Sequence, residues 1–124
     1  MLRSAELYLI SAEAAYNSGG DALTPLNIVR TARGLVASNA SGTALLQDIK
    51  DERARELAFE GFRLDDLKRW NEPMTRKPAQ NLLIINTGDR FNTLTKSTGD
   101  NKFVWGLPAN DMTINTNLVQ NPGW

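Results

Sequence analysis

Glu56 and Glu60 stand one helical turn apart in a run that is dense in both acids and arginines. Two carboxylates at that separation could carry out glycoside hydrolysis, one as general acid and the other as base or nucleophile. That chemistry needs one of the pair to hold a proton at neutral pH. Arg53, Arg55 and Arg63 lie in the same run, with Arg30 and Arg33 upstream, about as many arginines as acids. A guanidinium beside a carboxylate keeps it ionised, which is the wrong state for a general acid. The pair therefore reads as part of a salt-bridged scaffold. A small glycosidase using Glu56 and Glu60 is the least favoured alternative.

On a helical wheel at about 100° per residue, Leu46, Ile49 and Leu57 share one face. Arg53 and Glu60 fall inside that stripe and Glu56 on its edge, while Glu6 and Glu13 sit among Leu2, Leu9 and Tyr16. An unpaired buried ion is costly, so these groups must meet one another or stay wet. We expect a partly buried structural network of Glu6, Glu13, Arg30, Arg53, Glu56, Glu60, Arg63, Asp66 and Arg69, clamping the first three helices. Asp65-Asp66 suggests a metal pair at first sight, but adjacent helical side chains point about 100° apart. Asp66 is instead expected to join the network through Arg63 or Arg69, with no metal site.

Tryptophan faces stack on sugar rings, which makes Trp105, Trp124 and Trp70 the candidates for ligand contact. The competing role is packing, either in the core or as anchors of a loop-rich tail. The rest of the composition excludes more than it offers. With no His and no Cys, imidazole acid–base chemistry, thiolate nucleophiles and the usual zinc ligands are all missing. No cofactor is implied, and the chain reads as non-enzymatic. Fourteen basic residues balance fourteen acidic ones, which leaves no cationic surplus for a nucleic acid. The longest apolar run, Leu82–Ile85, is far short of the roughly 18 residues that span a bilayer. The chain is expected to be soluble, with no signal or anchor of its own.

The elements that must position these residues form a helical half, 1–70, and a tail, 71–124, rich in Asn, Thr, Gly and Pro, all within a single domain of 124 residues. A first helix is predicted over Leu2–Asn17, ended by Gly19-Gly20. A second should span Pro25–Arg33 with Thr24 as cap, or begin earlier at Asp21. So short a turn makes the two an antiparallel hairpin of tetratricopeptide type. A third helix should run from Thr43 to about Glu60 and a fourth from Phe62 to Trp70. In the tail, Pro108–Met112 suggests one helical turn. Leu82–Ile85 and Phe103–Trp105 read either as extended segments or as packing anchors, and the remainder as irregular chain. The fold class is all-α.

The run Glu52-Arg53-Ala54-Arg55-Glu56-Leu57-Ala58-Phe59-Glu60-Gly61-Phe62-Arg63-Leu64-Asp65-Asp66-Leu67-Lys68-Arg69-Trp70 resembles the signature of SusD/RagB-type proteins, ER-x-R-EL-x-FEG-x-R-x-x-DL-x-RW, at every fixed position. The hairpin sequence from Ala5-Glu6-Leu7-Tyr8 through Leu26-Asn27-Ile28-Val29-Arg30 is similar to the segment that precedes the signature there. The close, Asn117-Leu118-Val119-Gln120-Asn121-Pro122-Gly123-Trp124, is similar to the L-x-QNPGY that ends the family's pattern, with Trp124 in place of the closing tyrosine. The resemblance implies the C-terminal portion of a Bacteroidetes outer-membrane lipoprotein. Such a protein is surface-exposed, captures glycans or peptides, and works with a TonB-dependent transporter. Membrane attachment would be through a lipid anchor absent from this chain. The family's signature acids and arginines look like framework, so no binding residue is carried over from it. The alternative is a helical protein–protein interaction module with no ligand of its own.

Overall fold

The computed structural model describes residues 3–76 and 95–124, which fall into two compact units, 1–63 and 64–124. The Leu82–Ile85 run lies outside the described residues. The chain is mostly helical: α1 Ser4–Ser18, α2 Leu23–Ala32, α3 Gly42–Glu56, α4 Arg63–Trp70 and, after two short strands, α5 Ala109–Ile114. None of the described helices is long and apolar enough to cross a membrane.

In the first unit α1 ends where Gly19 turns left-handed (φ 75°), and the Gly20 N–H reaches back to Ala15 O at 2.7 Å. That is the closure a glycine permits at a helix C-terminus. α2 begins before Pro25, at Leu23, so the later start is corrected. The Asp21 carboxylate accepts the Thr24 N–H at 3.1 Å and acts as the cap in place of Thr24. Hydrogen bonds from Thr24 lower the Asp21 pKa below its ordinary value. Pro25 then occupies the first turn, where its missing N–H leaves nothing unsatisfied.

Leu9 and Ala12 of α1, Ala22, Leu26 and Val29 at α2, and Leu45 and Ile49 of α3 close into one apolar cluster. Each fully buried Leu or Ile in it contributes about 2 kcal/mol by its removal from water. The connection between α2 and α3 is held by polar groups. Asn27 donates to Ser38 O at 2.9 Å and accepts the Ser38 N–H at 2.7 Å. The Ser38 hydroxyl bonds Asp48 on α3.

α3 stops at Glu56, four residues short of the expected end at Glu60. Phe59 adopts a left-handed backbone (φ 65°), as does Gly61 (φ 89°), and this breaks the helical ladder. A bulky residue is strained there, and the Phe59 ring stands fully in solvent. Because the helix has ended, Glu60 leaves the buried stripe and comes to the surface.

In the second unit Met74–Thr75 (β1) pairs antiparallel with Thr95–Lys96 (β2), in the register Met74 to Lys96 and Thr75 to Thr95. This pairing lies in a region read from sequence as loop. A 3₁₀ turn over Asn101–Phe103 buries Phe103, and α5 extends the helical turn expected at Pro108–Met112.

Candidate functional site

The charged residues of the first unit gather around α3. Its buried stripe is Leu45, Ile49, Glu52 and Arg53, rotated from the expected face so that Leu46 is only half-buried. Glu52, which the wheel passed over, is the most deeply buried ion in the unit at 2% exposure. It accepts from Arg30 on α2 at 3.2 Å and from Arg55, one turn along, at 2.8 Å. The spacing 45, 49, 52 and 53 is itself a helical stripe. Starting the wheel at Leu45 in place of Leu46 would have found Glu52.

Glu56 lies beside it. Arg33 grips this carboxylate with two hydrogen bonds, Nε to Oε2 at 2.9 Å and Nη2 to Oε1 at 2.7 Å. Arg3, absent from the sequence reading, binds the Glu56 carbonyl at 2.7 Å and Glu60 Oε1 at 2.6 Å, and lies 3.6 Å from Glu56 Oε1. The bond from Arg33 holds the Glu56 pKa below the usual glutamate range. Burial opposes this, and the charges of Arg33 and Arg3 reinforce the lowering. Glu56 in turn raises the Arg33 pKa.

A guanidinium thus occupies the space between the two carboxylates, where a glycosidic oxygen would have to sit, and Glu56, its pKa lowered, is in the wrong state for a general acid. Such an arrangement joins α1, α2 and α3 electrostatically. Arg53 is buried, its guanidinium 5.7 Å from the Phe62 ring centroid, and Glu13 is buried on α1. Glu6 is half-buried, with no ion-pair partner among the described residues. Arg63 is exposed at the start of α4.

In the second unit Asp66 is buried and accepts from Arg69 Nε at 2.9 Å, while Asp65 faces water, so the two do not converge on one point. The Arg69 guanidinium also sits over the Trp70 ring, 4.5 Å from its centroid.

The closing residues form a clasp. Gln120 accepts the Leu107 N–H at 2.8 Å and donates to Leu107 O at 3.0 Å, so its amide behaves like one rung of a β-ladder. Asn121 donates to Trp105 O at 2.6 Å and Trp124 Nε1 to Val104 O at 2.9 Å. Gly106 lies against the Trp124 indole, where an added Cβ would come within 2.7 Å of it, and the Lys102 ammonium is 3.8 Å from the ring centroid, while Trp124 keeps 52% of its surface exposed. The spacing of these polar side chains carries no periodic signal that would pair them with residues 104–107.

Residues 1–124 as a whole match the family model described as SusD family. The chain belongs to the SusD family. Among curated proteins it is similar to the starch-binding protein SusD of Bacteroides thetaiotaomicron, at 33% identity over 124 residues. Among solved structures it is similar to a Bacteroides vulgatus protein whose name gives sugar binding as its inferred role. There the TM-score is 0.74 at 28% identity, over 98% of this chain. The SusD-family chain spans only 21% of the length of the curated relative and 28% of the solved one. Both relatives are named for binding and not for a reaction. Within the SusD signature Glu52 and Glu56 are gripped by arginines, and at the SusD-type close Gln120, Asn121 and Trp124 form the clasp.

Proposed function

We propose that this chain is a non-catalytic, C-terminal part of a cell-surface protein that binds glycans or related nutrients and works with a TonB-dependent outer-membrane transporter. The observation that carries the reading is the unbroken SusD-family match over residues 1–124. The names of the starch-binding and sugar-binding relatives support glycans as the ligand class. The ion-paired state of Glu56 and Glu60 supports a framework role for the acids in place of hydrolysis. Affinity electrophoresis tests the binding. The purified protein should be retarded in gels containing amylopectin or another polymer from a panel of glucans, xylans and mannans, with no sugar released. Normal migration in every gel would overturn it. Co-purification with a TonB-dependent transporter from detergent-solubilised outer membranes tests the partnership, and recovery without any such transporter would refute it.

A second reading, a helical docking module with no ligand of its own, draws on the outer face of the hairpin. Leu7, Tyr8 and Ile10 of α1 and Ile28 of α2 are exposed there. It predicts transporter retention together with no glycan retardation.

A further inference from the structure

The three tryptophans are not equivalent, and their differences select one of them. Trp70 is half-buried on α4, and the Arg69 guanidinium covers its ring. Trp124 has Gly106 against its ring, the Lys102 ammonium close to its centroid, and its N–H committed to Val104 O. Each of these rings is already engaged by a neighbour, although Trp124 keeps 52% of its surface exposed. Trp105 is 74% exposed, and among the described residues no ring contact or side-chain hydrogen bond involves its indole.

Its backbone, by contrast, is held on both sides. The carbonyls of Val104 and Trp105 and both polar groups of Leu107 are bonded by the side chains of Trp124, Asn121 and Gln120. An irregular segment that would otherwise fluctuate is therefore fixed at four backbone groups. A large flat side chain with two rotatable bonds, mounted on a fixed backbone, loses little conformational freedom when something stacks on it. The complementary ligand is a ring with an apolar C–H face and a polar rim. The net charge of the chain is zero, so no excess of either sign selects an ionic ligand.

We infer that the Trp105 indole is a stacking platform for a pyranose ring of a neutral glycan, with Gln120, Asn121 and Trp124 acting as positioning residues beneath it. The assignment rests on the glycan-binding reading above and adds the residue that makes the contact.

The test is a titration of intrinsic tryptophan emission with maltoheptaose, cellohexaose, xylohexaose and mannohexaose. It is run on the wild-type protein and on Trp105→Ala and Trp105→Phe. At least one oligosaccharide should shift the wild-type emission. Trp105→Ala should abolish that shift and weaken binding measured by calorimetry roughly tenfold, the scale of one aromatic stacking contact. Trp105→Phe, which keeps a smaller ring, should retain part of the affinity. Both variants should melt at the wild-type temperature, because the side chain is mostly in water. If the wild type binds an oligosaccharide and Trp105→Ala binds it equally well, the platform is refuted while the glycan-binding reading stands. If the wild type binds none of the four and is retarded by no polymer, both fall.

Discussion

Residues 1–63 and residues 64–124 are stabilised by different means. The first unit closes three helices over Leu9, Leu26 and Ile49, all fully buried, and ties the same helices together with arginine–glutamate pairs. The described part of the second unit buries few large apolar side chains, chiefly Leu67 and Phe103. It relies on side-chain amides that take the place of backbone partners, as Gln120 does for Leu107. Burial is non-directional and proportional to area, so the first unit tolerates polar substitutions on its surface but not loss of volume inside. Hydrogen bonds are directional and modest in net worth, so the second unit is sensitive to exchanges that keep shape but change a donor or acceptor.

The two units can be followed separately. All three tryptophans lie beyond residue 63, so their emission reports on the second unit, while α1, α2 and α3 dominate far-ultraviolet ellipticity. The largest effect is expected for Ile49→Ala. It should destabilise the helical unit by about 3 kcal/mol in urea denaturation followed by ellipticity. Glu52→Ala should cost about 2 kcal/mol by the same measurement, because it leaves Arg30 partly buried without its carboxylate. A cost below about 0.5 kcal/mol would place Glu52 among surface ions and remove the ionic half of the contrast.

Gln120→Ala should destabilise the tail by about 1.5 kcal/mol, seen in tryptophan emission with little change in ellipticity, since three partly buried bonds are lost. If ellipticity changed as much as emission, the division of labour between the regions would be wrong.

The smallest effect is that of acid on Glu56. Its folded pKa lies below the ordinary value of 4.5, so the stability it provides is complete above about pH 4.5 and is lost as pH falls through the folded value. Arg33→Gln should flatten that part of the pH–stability curve, as checked by thermal melts between pH 3 and pH 7. An unchanged curve would show that the pair contributes nothing.

The contrast also explains what could be read from sequence. The hairpin, the glycine after α1 and the short fourth helix follow from period and capping, which are local rules. The crowding of arginines and glutamates into apolar stripes was visible too, although pairing them was not. Arg3 reaches Glu56 across more than fifty positions of chain, and Glu52 was lost through a one-residue choice of where the stripe began. The end of α3 was misplaced because Phe59 takes a left-handed conformation that sequence rules reserve for glycine or asparagine. Among the tryptophans, sequence proposed three candidates. The placement of Arg69, Lys102 and Gly106, with the exposure of each ring, separates Trp105 from the other two.

The amide of Asn121, whose nitrogen holds the Trp105 carbonyl, is followed directly by Pro122. Spontaneous conversion of asparagine to aspartate normally proceeds by attack of the next residue's backbone nitrogen on the side-chain carbonyl, closing a succinimide. The proline nitrogen carries no hydrogen to lose and is already fully substituted. The order of these two residues therefore protects the clasp from the commonest form of chemical ageing at an asparagine, and a molecule long in water keeps its donor where a different neighbour would let it decay into an acceptor.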